Sequence, residues 1–144
     1  MNATLEKFDY PATLIHEYRN WCVLLRPAQV TLASLVLAAK GEERAFSALP
    51  VEAFTELNSV IRDIEPTLNA FRPYDRINYL MLMMVDPHVH FHVLPRYAVA
   101  QDFDGVQFPD AGWPGPPDLK FATDLGQQSR ALLMQSLKRL WPGN

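Results

Sequence analysis

Residues 86–97 read Asp86-Pro87-His88-Val89-His90-Phe91-His92-Val93-Leu94-Pro95-Arg96-Tyr97. In a β-strand, residues two apart share a face. His88, His90 and His92 then project together, and Val89, Phe91 and Val93 form an ordinary core face behind them. Three of the chain's four histidines stand on that one face. As plain surface polarity the arrangement is unfavourable, because neighbouring imidazolium charges repel below their pKa of ~6.5.

Two chemistries use such a row. Neutral imidazole is a common metal ligand, and a His-x-His pair can chelate zinc. His88 and His92 would stand ~13 Å apart at ordinary strand rise, however, whereas zinc requires nitrogens at ~2.0–2.1 Å. A mononuclear site would need ligands from elsewhere, and His16, Cys22 and Asp86 are poor recruits. The alternative is phosphate chemistry. A neutral imidazole is a competent nucleophile near pH 7, and a protonated neighbour can donate to phosphate or leaving-group oxygens. Three rings on a rigid strand can divide attack, protonation and orientation among themselves.

Working outward, Ile77–Val85 reads as a strand. Only Asp86-Pro87 separates it from His88–Tyr97, so an antiparallel hairpin is expected. Upstream, residues 13–20, Trp21–Arg26 and Val30–Ala39 read as three more strands. Between Pro50 and Ala70 the period changes. Phe54, Leu57, Val60, Ile61, Ile64 and Leu68 recur at spacings of three and four, one apolar helix face, and Pro66 should kink or end the helix near Ile64. Residues 101–118 carry Asp-Gly, Pro-Gly and Pro-Pro and read as an extended loop. Helical spacing returns from about Asp124 to Leu140. The expected fold is α+β: an antiparallel sheet of about five strands, a long helix over about 50–70 and a C-terminal helix over about 124–140. A single domain over 1–144 is expected, its core at about 10–97, with 98–144 as Pro/Gly-rich loop and final helix.

The chain has 144 residues, about half of them hydrophobic, enough for one packed core without disulfides. One cysteine, Cys22 in the apolar run Trp21–Leu25, cannot pair internally and reads as a small buried hydrophobe in a reducing compartment. Net charge is −3 with no basic stripe, which argues against a nucleic-acid polymer as partner. No apolar run approaches the ~20 residues that span a bilayer, and the N-terminus does not read as a signal peptide. A cytoplasmic location is therefore expected.

The stretch His88-Val-His-Phe-His-Val-Leu94, followed by Pro95-Arg96, resembles the signature of the histidine triad (HIT) family, in particular its fragile-histidine-triad branch. Val30–Leu37 is similar to that family's strand before the long helix, and element order agrees through about residue 97. The resemblance implies a HIT-like fold and hydrolysis or transfer at phosphoramidate or phosphoanhydride bonds of nucleoside monophosphate conjugates such as dinucleoside polyphosphates. It implies His90 as the nucleophile that takes the nucleotidyl group, the His88 carbonyl as the group orienting its ring, and His92 as the contact to phosphate and leaving group. It also implies a homodimer and an apolar nucleoside cleft. No cofactor is required, although a divalent cation can accompany substrate phosphates. The chain departs from many relatives in having no Gly-Gln loop before the triad. Arg26 stands where an Asp or Asn often meets the ribose, and Ser34 where some relatives carry a fourth histidine. Arg26 and Arg96 are candidate phosphate contacts, each with a strand-end surface charge as the plainer alternative. Asn78 serves either substrate or a loop cap. A binding module without turnover and a His-based metal site stay open as alternatives.

Overall fold

The computed structural model describes residues 2–144. Five strands form one antiparallel sheet: β1 (Leu14–Glu17), β2 (Trp21–Leu25), β3 (Leu35–Ala39), β4 (Arg76–Leu80) and β5 (His90–Arg96), in the order β1-β2-β3-β5-β4. The helices are α1 (Ala3–Lys7), α2 (Val51–Phe71) and α3 (Gln127–Leu140). The α+β architecture with its long and C-terminal helices is as the sequence predicts.

Residue alternation gives the sheet two distinct faces. One face carries Trp21, Val23, Leu25, Leu35, Leu37 and Val93, all buried with Val60, Ile64 and Leu68 of α2 in the main core. The apolar spacing of α2 is the cause: Val60, Ile64 and Leu68 recur every four residues and are fully covered, whereas Phe54, on the same expected face, is 40% exposed. α3 packs on α2 and β1 and adds Leu133 and Leu137 to the same core. The opposite face, with Cys22, Leu24, Val36 and Ala38, is covered by Leu5 and Phe8 from the N-terminal segment. Burial pushes the Cys22 thiol up to about 12, so it is a packed apolar group.

Four sequence expectations are corrected. Helix α2 runs through Pro66 to Phe71. The carbonyl that Pro66 leaves without a donor is one bond against the burial of Thr67, Leu68 and Phe71 on the sheet. The third strand begins only at Leu35, because Gln29 folds the preceding residues into a turn. Its Oε1 accepts from Ala33 and Ser34 N–H, and Ala33 lies in the left-handed region at φ 68°. The β4–β5 pair is antiparallel, with Leu80 opposite His92, but residues 81–89 join the strands where a two-residue turn was expected. Val89 gives its carbonyl to Ala39 N–H on β3, and the His88 carbonyl accepts from the His90 ring, so neither extends the ladder with β4. Last, the extended loop contains a hairpin, β6 (Gln101–Phe103) with β7 (Val106–Phe108). Asp104 and Gly105 turn it with φ of 50° and 75°, the Asp-Gly conformation that suits a two-residue hairpin. Among the described residues, no helix is long and apolar enough to cross a membrane.

Candidate active site

His90 and His92 stand on the face of β5 away from α2, opposite Ala38 and Val36 of β3. Both partners are small or short, which leaves room for two rings. The rings meet edge-on, with centroids 5.2 Å apart and planes at 83°. His90 Nδ1 lies 2.7 Å from the His88 carbonyl oxygen. A carbonyl can only accept, so Nδ1 carries the proton and Nε2 holds a lone pair. For His92 the logic is reversed. Arg26 Nε donates to His92 Nδ1 at 3.3 Å, and a guanidinium has no acceptor. His92 Nδ1 is therefore the lone pair and Nε2 the N–H. Two touching imidazoles are held in opposite tautomers, one with a nucleophilic Nε2 and one with a donor Nε2.

His88 lies just before the strand and is the outer member of the set. Its Nδ1 is 3.0 Å from Thr4 Oγ1. Its Nε2 is buried without a hydrogen-bond partner, 3.5 Å from Glu42 Oε2. That contact is too long to satisfy the ring nitrogen.

Burial, then the Arg26 charge and then His90, lower the pKa of His92 to about 4; Asp86 opposes them weakly. His92 is thus neutral across the physiological range. Between about pH 6.5 and pH 4 the unfolded chain binds a proton at this residue that the folded chain refuses. The associated stability is complete above the unfolded value and is lost as pH falls through the folded one, a drop on the order of 3 kcal/mol at most. Urea unfolding at pH 7.5 and pH 4.5 should show this loss. His92→Asn should have a visibly smaller difference between the two pH values; an equal difference would assign the acid sensitivity to other groups.

The N-terminal segment roofs the site. The Phe8 ring sits 5.9 Å from the His90 ring and 5.8 Å from the His92 ring. Asn2 Nδ2 donates to the Ala39 and Gly41 carbonyls, and Lys7 pairs with Asp86 at 2.9 Å. Under this cover His88, His90 and His92 are only 3%, 1% and 7% exposed. The cover leaves little room for a solute to approach His90 Nε2 while this segment stays in place. Phe8→Ala should raise the rate of diethyl pyrocarbonate modification at His90 and His92 by roughly tenfold or more, because the removed contacts favour the closed state. Unchanged rates with an intact circular dichroism spectrum would show that Phe8 does not control access.

The remaining sequence candidates divide. Arg26 is at the triad, with its Nη1 also bonded to the Ala28 carbonyl. Ser34 is in the turn before β3, where its hydroxyl donates to the Thr31 carbonyl and accepts from Thr31 N–H. Arg96 and Asn78 are together, but Arg96 is engaged on every side. Its Nε and Nη2 donate to Asp110 at 2.6 and 2.9 Å, Nη1 to Asn78 Oδ1 at 2.8 Å, and Nη2 also to the Gly115 carbonyl at 3.0 Å. Among the described residues, no hydrogen bond joins Ser34, Asn78 or Arg96 to a triad ring. Arg96 anchors the Pro-Gly loop, and Trp113 of that loop lines a cleft with Asp75, Arg76 and Asn78. Sequence reasoning did not single out Thr4, Phe8 or Asp110. The first two act across 80 or more residues, and no local spacing announces them. Among the described residues, no group of three His, Cys, Asp or Glu side chains is placed to hold a metal ion.

No protein-family model matches the sequence, and no curated protein matches it. Solved structures do match in fold. A histidine triad protein from Bradyrhizobium japonicum superposes with a TM-score of 0.75 at 15% identity, over 98% of this chain and 96% of that one. A histidine triad protein from Marinobacter aquaeolei VT8 gives 0.73 at 21% identity, over 94% and 93%. A hypothetical histidine triad nucleotide-binding protein from Sulfolobus tokodaii strain7 gives 0.66 at 16% identity, over 89% and 82%. The chain has the histidine triad fold. His90 and His92 lie between one face of β5 and the N-terminal segment, with His88 just before the strand.

Proposed function

We propose that this protein is a histidine triad hydrolase or transferase acting on nucleotidyl conjugates through a covalent nucleotidyl-His90 intermediate. The observation that carries the reading is the pair of opposed tautomers. The His88 carbonyl holds the Nδ1 proton of His90 and leaves Nε2 free to attack phosphorus. Beside it, the Nε2–H of His92 is a ready donor to a phosphate or leaving-group oxygen. Holding two groups in attack geometry on a rigid strand supplies much of what phosphoryl transfer needs. The apolar floor of Cys22, Leu24, Val36 and Ala38, now filled by Leu5 and Phe8, suits a nucleoside once the N-terminal segment moves. The Sulfolobus tokodaii neighbour, whose name includes nucleotide binding, supports a nucleotide as the ligand.

In this reading the whole chain is one functional domain, no resident cofactor is required, and a divalent cation enters only with substrate phosphates. Turnover of an adenosine phosphoramidate or a dinucleoside polyphosphate by the purified chain, surviving chelation of protein-bound metal, is the test. Tight nucleotide binding with no turnover of either class would leave a binding module instead. We further propose a homodimer. Sedimentation equilibrium at micromolar concentration should give twice the chain mass of 16.4 kDa, and a purely monomeric species would contradict it.

A further inference from the structure

Arg26 determines what His92 can offer a departing group. It extends from just beyond β2, and its Nε–H points at His92 Nδ1 from 3.3 Å. A second proton on His92 would have to displace that N–H and set an imidazolium against a guanidinium, in a site where the ring is 7% exposed. The groups around the ring are Arg26, His90 and the Phe8 face, with Lys7 and Asp86 at the margin. Asp86 is the only anion among them, and Lys7 already pairs with it. His92 therefore presents a neutral N–H, a good hydrogen-bond donor but a poor acid. The positive charge of the site resides on Arg26, whose Nη2 makes no hydrogen bond among the described residues.

Building on the nucleotidyl-transfer reading above, we propose that Arg26 is a specificity-determining residue, selecting substrates whose leaving group departs as a phosphate or polyphosphate anion over those that release an amine. In the first half-reaction the His90 Nε2 lone pair forms a bond to the α-phosphorus. The anhydride P–O bond breaks, and its electron pair stays on the departing phosphate oxygen. A phosphate monoester has its second pKa near ~6, so this oxygen needs no proton at pH 7. Hydrogen bonds from Arg26 and from His92 Nε2–H are sufficient stabilisation. A phosphoramidate instead leaves an electron pair on nitrogen, which must gain a proton to depart, and neutral His92 is a poor source of one. In the second half-reaction water attacks phosphorus, the P–N bond breaks with its pair returning to His90 Nε2, and the proton of the attacking water passes to solvent.

The full-length chain should be assayed at pH 7 with diadenosine triphosphate and with an adenosine phosphoramidate of a primary amine. Wild type should favour the anhydride in kcat/KM by at least about 100-fold, the usual scale of missing acid catalysis. Arg26→Gln should cut the anhydride value by roughly 10–100-fold while leaving or raising the phosphoramidate value. Arg26→Lys should restore part of the preference through its charge. Nitrogen-15 spectra of the imidazoles should show His92 as the Nε2–H tautomer in wild type and as a mixture in Arg26→Gln, which a merely structural role for Arg26 would not produce. Comparable wild-type rates on the two probes, or an Arg26→Gln protein with the wild-type ratio and tautomer, would overturn the proposal. Turnover of neither probe by wild type would instead sink the nucleotidyl-transfer reading, and the Arg26 proposal with it.

Discussion

If His90 is the nucleophile proposed above, His90→Ala or His90→Asn should lower turnover by about four orders of magnitude or more, while the protein should stay folded and still bind nucleotide. The expectation follows from what the substitution removes. The core face of β5, Phe91 and Val93, lies on the other side of the strand and is untouched, and Ala38 opposite His90 makes few demands on the side chain. What disappears is the Nε2 lone pair, and with it the covalent route. His92→Asn and His88→Ala should lose less, roughly 10²–10⁴-fold, because they remove donation and support without removing the nucleophile. Steady-state turnover with binding measured in parallel separates these cases. A His90→Ala protein with near-normal turnover would exclude the mechanism.

The second large effect is on stability. Asp110→Ala should destabilise the fold by about 3–5 kcal/mol. The Arg96 and Asp110 side chains are 4% and 2% exposed. Removing the carboxylate leaves a guanidinium inside the protein with two donors unmet, and natural domains have only about 5–15 kcal/mol in total. Urea denaturation checks this directly. Replacing both partners with apolar residues, Arg96→Met with Asp110→Leu, should cost much less, because no uncompensated charge remains. A single Asp110→Ala variant within about 0.5 kcal/mol of wild type would show that solvent or another group already balances Arg96.

Those two cases mark how far the sequence could be read. The alternation of the histidines places His90 and His92 on one sheet face, because strand geometry allows little else, whereas His88, expected on the same strand, lies just before it. The four-residue spacing of Val60, Ile64 and Leu68 likewise placed α2 on the sheet. What stayed hidden depends on residues distant in sequence. Arg96, next to the triad on the strand, reads as a phosphate ligand until Asp110 and Gly115 are seen holding it. The opposed tautomers depend on Arg26, 66 residues from His92. The roof over the site depends on Phe8, which follows a five-residue helix too short to leave a periodic signal. The Asp104-Gly105 hairpin was legible as a turn dipeptide between Phe103 and Val106, but the surrounding prolines obscured it.

The most direct measurement is to trap the intermediate. A sample turning over diadenosine triphosphate, quenched in mild alkali where a phosphorus–nitrogen bond to histidine survives, should carry an adenylyl group on the peptide containing His90. Fragmentation should place the group on His90 itself, and acid should remove it. An adduct confined to His88 or His92, or none at all in an enzyme that turns substrate over, would contradict the account.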